Sequence, residues 1–162
     1  MKKVILLMAL VAVLATGAFG KEKKSAKGSE QAVQQANAAI DRWSAAYSAN
    51  DVDAVTNSYW PDAILLGTKS PVISTGSEAI KKYFTDLKLA GSGNKNTIQE
   101  RHSIPAGKDA VVVTGFYEFT RMQEGKPVPG PSRFTMLVTK RGNEWRIAHH
   151  HSSPRVMPAA AK

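Results

Sequence analysis

The chain contains no cysteine. That excludes disulfides, thiolate metal sites, a cysteine nucleophile and the lipid-modified cysteine of a bacterial lipoprotein. Aromatic residues make up only 7% of the 162 residues, so each is a candidate for a core or a pocket. Acidic residues are outnumbered, 13 against 22 Lys and Arg. Chemical signatures are missing too: the sequence has no Gly-x-Gly-x-x-Gly after a strand, no Gly-x-Ser-x-Gly elbow, and no flavin or haem motif. No cofactor is expected, and serine-nucleophile chemistry is set aside. No internal repeat occurs.

The longest apolar run is Val4 to Ala15, at the N-terminus. Lys2 and Lys3 precede it, and it is too short to favour a spanning helix. Ala18-Phe19-Gly20 then places small residues around a cut after Gly20, so residues 1–20 are expected to be a secretory signal. The mature protein is thus expected to be periplasmic or secreted, with no integral membrane segment after processing. Residues 21–29 (KEKKSAKGS) have little to bury and read as a charged, disordered linker. One domain follows, over residues 30–154, with a tail over 155–162. The formal charge of +9 falls to about +4 once the signal and linker are set aside. The remaining basic residues are scattered, with no stripe of aromatics among them, so nucleic acid is not an expected partner.

Within the domain, Ala32, Ala36, Ala39, Ile40, Trp43, Ala46 and Tyr47 recur at helical spacing and predict a helix over 30–49. Asp51 is placed to cap a second short helix through Tyr59, ended by Pro61-Asp62. Residues 63–67 and 71–74 read as short strands. Residues 79–89 read as a helix burying Ile80, Tyr83, Phe84 and Leu87. The pattern then changes: 97–104, 109–122, 133–140 and 144–152 read as long antiparallel strands. Helices first and a meander of strands afterwards indicate an α+β fold with helices on one sheet face.

The last strand carries the clearest chemistry, Trp145-Arg146-Ile147-Ala148-His149-His150-His151. Strand side chains alternate, so an unbroken strand puts Trp145, Ile147, His149 and His151 on one face. Closing a hairpin around Gly142-Asn143 pairs Val138 with Ile147, Met136 with His149 and Phe134 with His151. The face under the helices then grades from apolar (Phe134, Met136, Trp145, Ile147) to imidazole (His149, His151). Such a gradient suits a small-molecule pocket. Trp43 and Tyr47, on the facing helix stripe, join the expected lining, and His150 is expected to point away.

Three segments resemble one family. Trp43 to Asp51, followed by Tyr59-Trp60-Pro61-Asp62-Ala63 and Gly67, is similar to the opening of nuclear transport factor 2-like (SnoaL-like) domains. Thr114 to Arg121 with Gly125 to Pro129 resembles the middle strands and long hairpin of one bacterial branch. Arg133-Phe134-Thr135 with Trp145 to Ser153 is similar to the end of that branch, which is akin to the calcium/calmodulin-dependent protein kinase II association domain and SgcJ/EcaC-type proteins. The resemblance implies a cone: a curved antiparallel sheet packed on N-terminal helices, with an internal cavity. It also implies self-association through the sheet, as a homodimer or a higher closed oligomer. Family members include isomerases, dehydratases, cyclases, non-catalytic pockets and assembly domains, so fold alone does not decide activity. This chain holds no kinase, and phosphotransfer is not expected.

Two readings stay open. One is an exported small-molecule-binding or self-association domain with a pocket rimmed by His149 and His151. The other is a cofactor-free isomerase, dehydratase or cyclase using one of those histidines as general base, which needs an orienting partner such as Asp51, Asp62 or Glu118. Arg133 is a candidate counter-charge for a carboxylate ligand. No metal is expected, because a catalytic site wants a third protein ligand and only an adjacent His102 would supply it. Mass spectrometry of protein exported by a bacterial host is expected to give a mature N-terminus just after Gly20; an intact Met1 in membrane-extracted protein would contradict export.

Overall fold

The computed structural model describes residues 16–89 and 92–156, with side chains from Lys27 onward. The apolar run 4–15 and the last residues of the tail lie outside the described residues. Helix α1 spans Thr16–Ser48. The expected stripe is its buried face: Ala32, Ala36, Ala39, Ile40, Trp43 and Tyr47 are all buried. The helix also runs through residues 21–29, where composition suggested a disordered linker. Lys, Glu and Ala are good helix formers, so this segment prolongs a helix that packing has already nucleated.

Asn50 stops α1 in the left-handed region, at φ 61°. Its amide donates to the carbonyls of Ser48 and Asn94, and its oxygen accepts from Ser92 Oγ and the Asn94 N–H. One side chain thus closes the helix and fastens a distant loop. Asp51 caps α2 (Val52–Asn57), accepting from the Ala54 N–H at 2.9 Å. After a short connection comes β1 (Tyr59–Leu66), where the sequence pattern suggested helix as far as Tyr59. Pro61 is tolerated because the β1 ladder is interrupted between Tyr59 and Ile64. Strand β2 (Ser74–Thr75) leads into α3 (Gly76–Asp86), which buries Ile80 and Phe84 and half-buries Tyr83; Leu87, at its C-cap, is also half-buried.

Four long strands follow: β3 (Lys95–Pro105), β4 (Ala110–Gln123), β5 (Lys126–Arg141) and β6 (Glu144–Pro154). The sheet order is β2-β1-β6-β5-β4-β3. Strand β1 lies parallel to β6, so the sheet is mixed rather than wholly antiparallel. Residues 123–131, expected as a connection, are mostly ladder: β4 and β5 pair out to Gln123 and Lys126. Glu124 and Gly125, both at positive φ, close this hairpin. Strand β6 ends opposite Ser132, and among the described residues no strand pairs with the outer side of this β5 arm, where Pro127, Pro129 and Pro131 are accommodated.

The curled, unclosed sheet wraps its inner face around α1 and α3. Arg101 reaches from β3 to Asp41 of α1 through two hydrogen bonds of 2.5 and 3.2 Å, and Ser103 donates to Asn37 at 2.9 Å. Among the described residues no helix is long and apolar enough to cross a membrane. Strand β3 bulges at Gln99, between the Ile98–Tyr117 and Glu100–Phe116 pairs. Opposite that bulge, Gly115 has no room for a side chain: a Cβ would lie 2.0 Å from the Glu100 carbonyl oxygen and 2.9 Å from the Arg101 Cα. Both obstacles are backbone, so rotamer change gives no relief. Gly115→Ala is therefore expected to destabilise by about 1–3 kcal/mol or more, read from urea denaturation midpoints; an unchanged midpoint would show that the two strands separate freely.

Candidate functional site: the interior of the cone

Strand β6 decides which histidine is inside. Val138 pairs with Ile147 as the hairpin predicts, but Leu137 pairs with His149, so Ala148 is an extra, bulged residue. Beyond it every side chain changes face. His150, opposite Met136, is 2% exposed and points into the cone. His149 is half-buried and His151 exposed, both on the outer face. The expected placement of His149 and His151 inside the cone is thereby corrected. Nothing in the residue types announces a bulge, and an unbroken alternation was the simplest count.

The other expected lining residues divide. Trp43 and Tyr47 line the interior cavity. Phe134, Met136 and Ile147 are buried in the core but do not line it. Trp145, also buried, walls a surface groove with Arg42 and Arg146. Residues that sequence reading missed complete the cavity: Leu65 on β1, Gly67 and Thr68 after it, Tyr83 and Phe84 on α3 with Leu87 at its C-cap, Tyr117, Phe119 and Arg121 on β4, and His150 with Ser152 on β6. The period-two run Tyr117, Phe119, Arg121 was a readable signal for one face of β4.

Aromatic rings fill most of the interior. Tyr117 stacks on Phe134 with centroids 4.8 Å apart, and Trp43 meets the His150 ring edge-on at 5.2 Å. The remaining cavity is about 10 Å³, room for a single water. Tyr83 closes one side. Its ring lies where Gly67 would carry a Cβ, 2.3 Å from the ring carbon Cζ, so Gly67 is there to admit the tyrosine.

His150 is held by hydroxyls alone. Tyr59 Oη is 2.8 Å from Nδ1 and Tyr117 Oη is 3.2 Å from Nε2. Tyr117 donates its only hydroxyl hydrogen to Ser152 Oγ, at 2.5 Å. It therefore accepts from Nε2–H, and Tyr59 donates to a bare Nδ1. Ser152 continues the chain to the Thr68 hydroxyl. Burial, and then the neighbouring imidazoles of His149 and His151, pushes His150 down to about 3. Burial likewise raises Tyr59 and Tyr117 above the ordinary phenol range. At neutral pH the cluster is uncharged, and an imidazole of such low basicity is a poor general base.

The carboxylates considered as partners lie elsewhere. Asp51 is a helix cap. Asp62 forms a forked pair with Arg141 at 2.8 and 3.1 Å, and this bonding holds its carboxyl below the usual range. Glu118 is on the outer face of β4, between the inward Tyr117 and Phe119. Arg133 is exposed on β5 and donates to Ser153 Oγ. Among the described residues no group of three His, Asp or Glu is arranged to hold a metal ion.

On the outer face the ladders align side chains across strands. One row runs His102, Thr114, Thr135, His151, Leu66; the next runs Ile104, Val112, Leu137, His149, Ile64. His102 pairs with Glu100 at 2.8 Å. A broad shallow depression here is lined by Glu100, His102, Phe116, Arg133, Thr135 and His151.

The buried imidazole has a thermodynamic consequence. Its pKa is lowered in the folded state, whereas the unfolded chain takes up a proton near the ordinary histidine value. The stability linked to His150 is present above about pH 6.5 and is lost as pH falls toward 3, by roughly 1.4 kcal/mol per pH unit. Denaturation midpoints measured from pH 7 to 4 are expected to fall more steeply for wild type than for His150→Gln. Parallel pH profiles would contradict a buried neutral imidazole.

Comparison with known proteins agrees with this architecture. The family model described as the SnoaL-like domain matches residues 36–158. No curated protein matches the chain. A solved structure from Xanthomonas campestris, named for a calcium/calmodulin dependent protein kinase II association domain, is similar at 32% identity with TM-score 0.66, over 72% of this chain and 82% of that one. A structure from Streptomyces avermitilis named for a dehydratase of the NTF2-like family is similar at 15% identity and TM-score 0.70, over 80% and 99%. A ketosteroid isomerase-like protein from Erwinia carotovora atroseptica is similar at 21% identity and TM-score 0.64, over 78% and 97%. With its helices, its curled sheet and a matched segment covering most of the domain, the chain belongs to the SnoaL-like family.

Proposed function

We propose that this chain is an exported self-association domain whose outer sheet face is the contact surface and whose interior is a non-catalytic pocket. One observation carries the reading. The cone is filled by aromatic side chains around a neutral histidine, whereas the outer face presents a row of apolar residues with little to cover it. Ile64 and Ile104, at the two ends of that row, are 39% and 59% exposed. Exposed aliphatic residues aligned across a sheet favour a partner over water. The likeness to a structure named for an association domain supports the same reading. His149 and His151 then belong to the interface rather than to a pocket rim, with Arg133 and the Glu100–His102 pair near them.

A closed two-fold arrangement is the simplest, since one self-complementary patch then satisfies both copies. The enzymatic reading receives less support. His150, the one inward histidine of β6, is weakly basic, and its partners are hydroxyls. Proton transfer at a carbon acid wants a base poised nearer the working pH.

Sedimentation velocity tests the proposal. Wild type at micromolar concentration is expected to be a dimer or a larger closed oligomer. Leu137→Arg, at the centre of the apolar row, is expected to give monomer with an unchanged circular dichroism spectrum. Wild type that sediments only as monomer would overturn the assignment.

A further inference from the structure

Arg121 is half-buried at the cavity wall on β4, and among the described residues no carboxylate pairs with it. Its contacts are the Phe119 ring, 5.8 Å from the guanidinium carbon, and the Tyr47 hydroxyl, whose ionisation it favours against the larger effect of burial. A partly desolvated cation without a counter-ion is costly, and an anion entering the cavity relieves that cost.

The hydroxyl chain ends at the same cavity. His150 Nε2–H donates to Tyr117 and Tyr117 to Ser152, whose hydroxyl is hydrogen-bonded to that of Thr68. The Thr68 hydroxyl both donates and accepts, so its hydrogen can turn to an anion while its oxygen accepts from Ser152. Thr68 is half-buried and lines the cavity with Arg121. A guanidinium fork and a hydroxyl hydrogen facing one space match an anion's oxygens.

We infer that the cavity is a binding site for a small monocarboxylate, gripped by Arg121 and Thr68 and admitted by displacement of the Tyr83 ring. One positive charge with neutral donors matches a singly charged head better than a phosphate dianion. The resident space of about 10 Å³ holds only a water, so the ligand's body takes the room Tyr83 vacates. Tyr83 is the wall that has to move: a half-buried side chain of α3 whose ring sits on Gly67 of the facing loop. A flat body of about one ring is the size that fits. The site stands apart from the sheet-face interface, so it holds whether or not the chain self-associates.

Isothermal titration calorimetry with sodium benzoate tests this on the full exported chain, with benzamide as neutral isostere and inorganic phosphate as the competing anion. Wild type is expected to bind benzoate saturably, and benzamide and phosphate at least tenfold more weakly. Arg121→Gln is expected to weaken benzoate binding by tenfold or more, and Thr68→Val by about three- to tenfold. Tyr83→Ala, which opens the wall, is expected to bind benzoate more tightly than wild type, and it keeps the test decisive should Arg121→Gln fail to fold. Absence of saturable benzoate binding in both wild type and Tyr83→Ala would overturn the inference. So would equal affinity for benzamide, a preference for phosphate, or unchanged benzoate binding by folded Arg121→Gln. Sedimentation of the same samples reads self-association separately.

Discussion

A strand can present alternate side chains to an interior only while its ladder stays in step. Strand β6 loses step once, at Ala148, and the interior of the cone is arranged around that loss. Before the bulge, Trp145 and Ile147 face inward; after it, His150 and Ser152 do. The switch sends one imidazole into a dry space and leaves two outside. It also adds local twist, which helps an open sheet curl far enough to enclose anything. The tyrosines, the serine hydroxyl and the Thr68 loop take positions that make sense only around an inward His150.

The second constraint is desolvation. An imidazole with aromatic rings on several sides cannot carry a proton at neutral pH, and two neutral hydroxyls give it no reason to. The site is therefore uncharged in its depth, and among the described residues its one unpaired charge is at the wall, on Arg121. That division separates this interior from a proton-transfer centre. Relatives of the same shape named for a dehydratase and for an isomerase differ from it at low identity, so shape carries no chemistry across.

Much of the fold was legible because its signals are long. The helical stripe from Ala32 to Tyr47 and the alternation along β4 span enough residues for periodicity to speak. The turn at Gly142-Asn143 set the first pairs of the last hairpin correctly, as far as Val138 and Ile147. What was not legible depended on single residues in tertiary context. The bulge at Ala148 leaves no mark in residue type. Pro61 looked like a helix terminator, yet it sits in a strand whose ladder is interrupted there. The charged segment 21–29 looked uncommitted, but its residues favour helix once α1 is anchored. Arg121 and Thr68 carried no motif, and only the closure of the cone brings them to one cavity.

The run of three consecutive histidines beside the bulge has an evolutionary reading. Loss of any one codon from 148 to 151 would remove the bulge and restore an unbroken ladder. Counting along the shortened strand, a histidine still falls opposite Met136 and Ser152 still falls opposite Phe134. The interior would keep its imidazole and its hydroxyl, and only the curl of the strand would pay. A lineage can thus gain or lose a residue here without passing through a form that lacks the buried cluster, and this makes the segment a natural place for related sequences to differ in length.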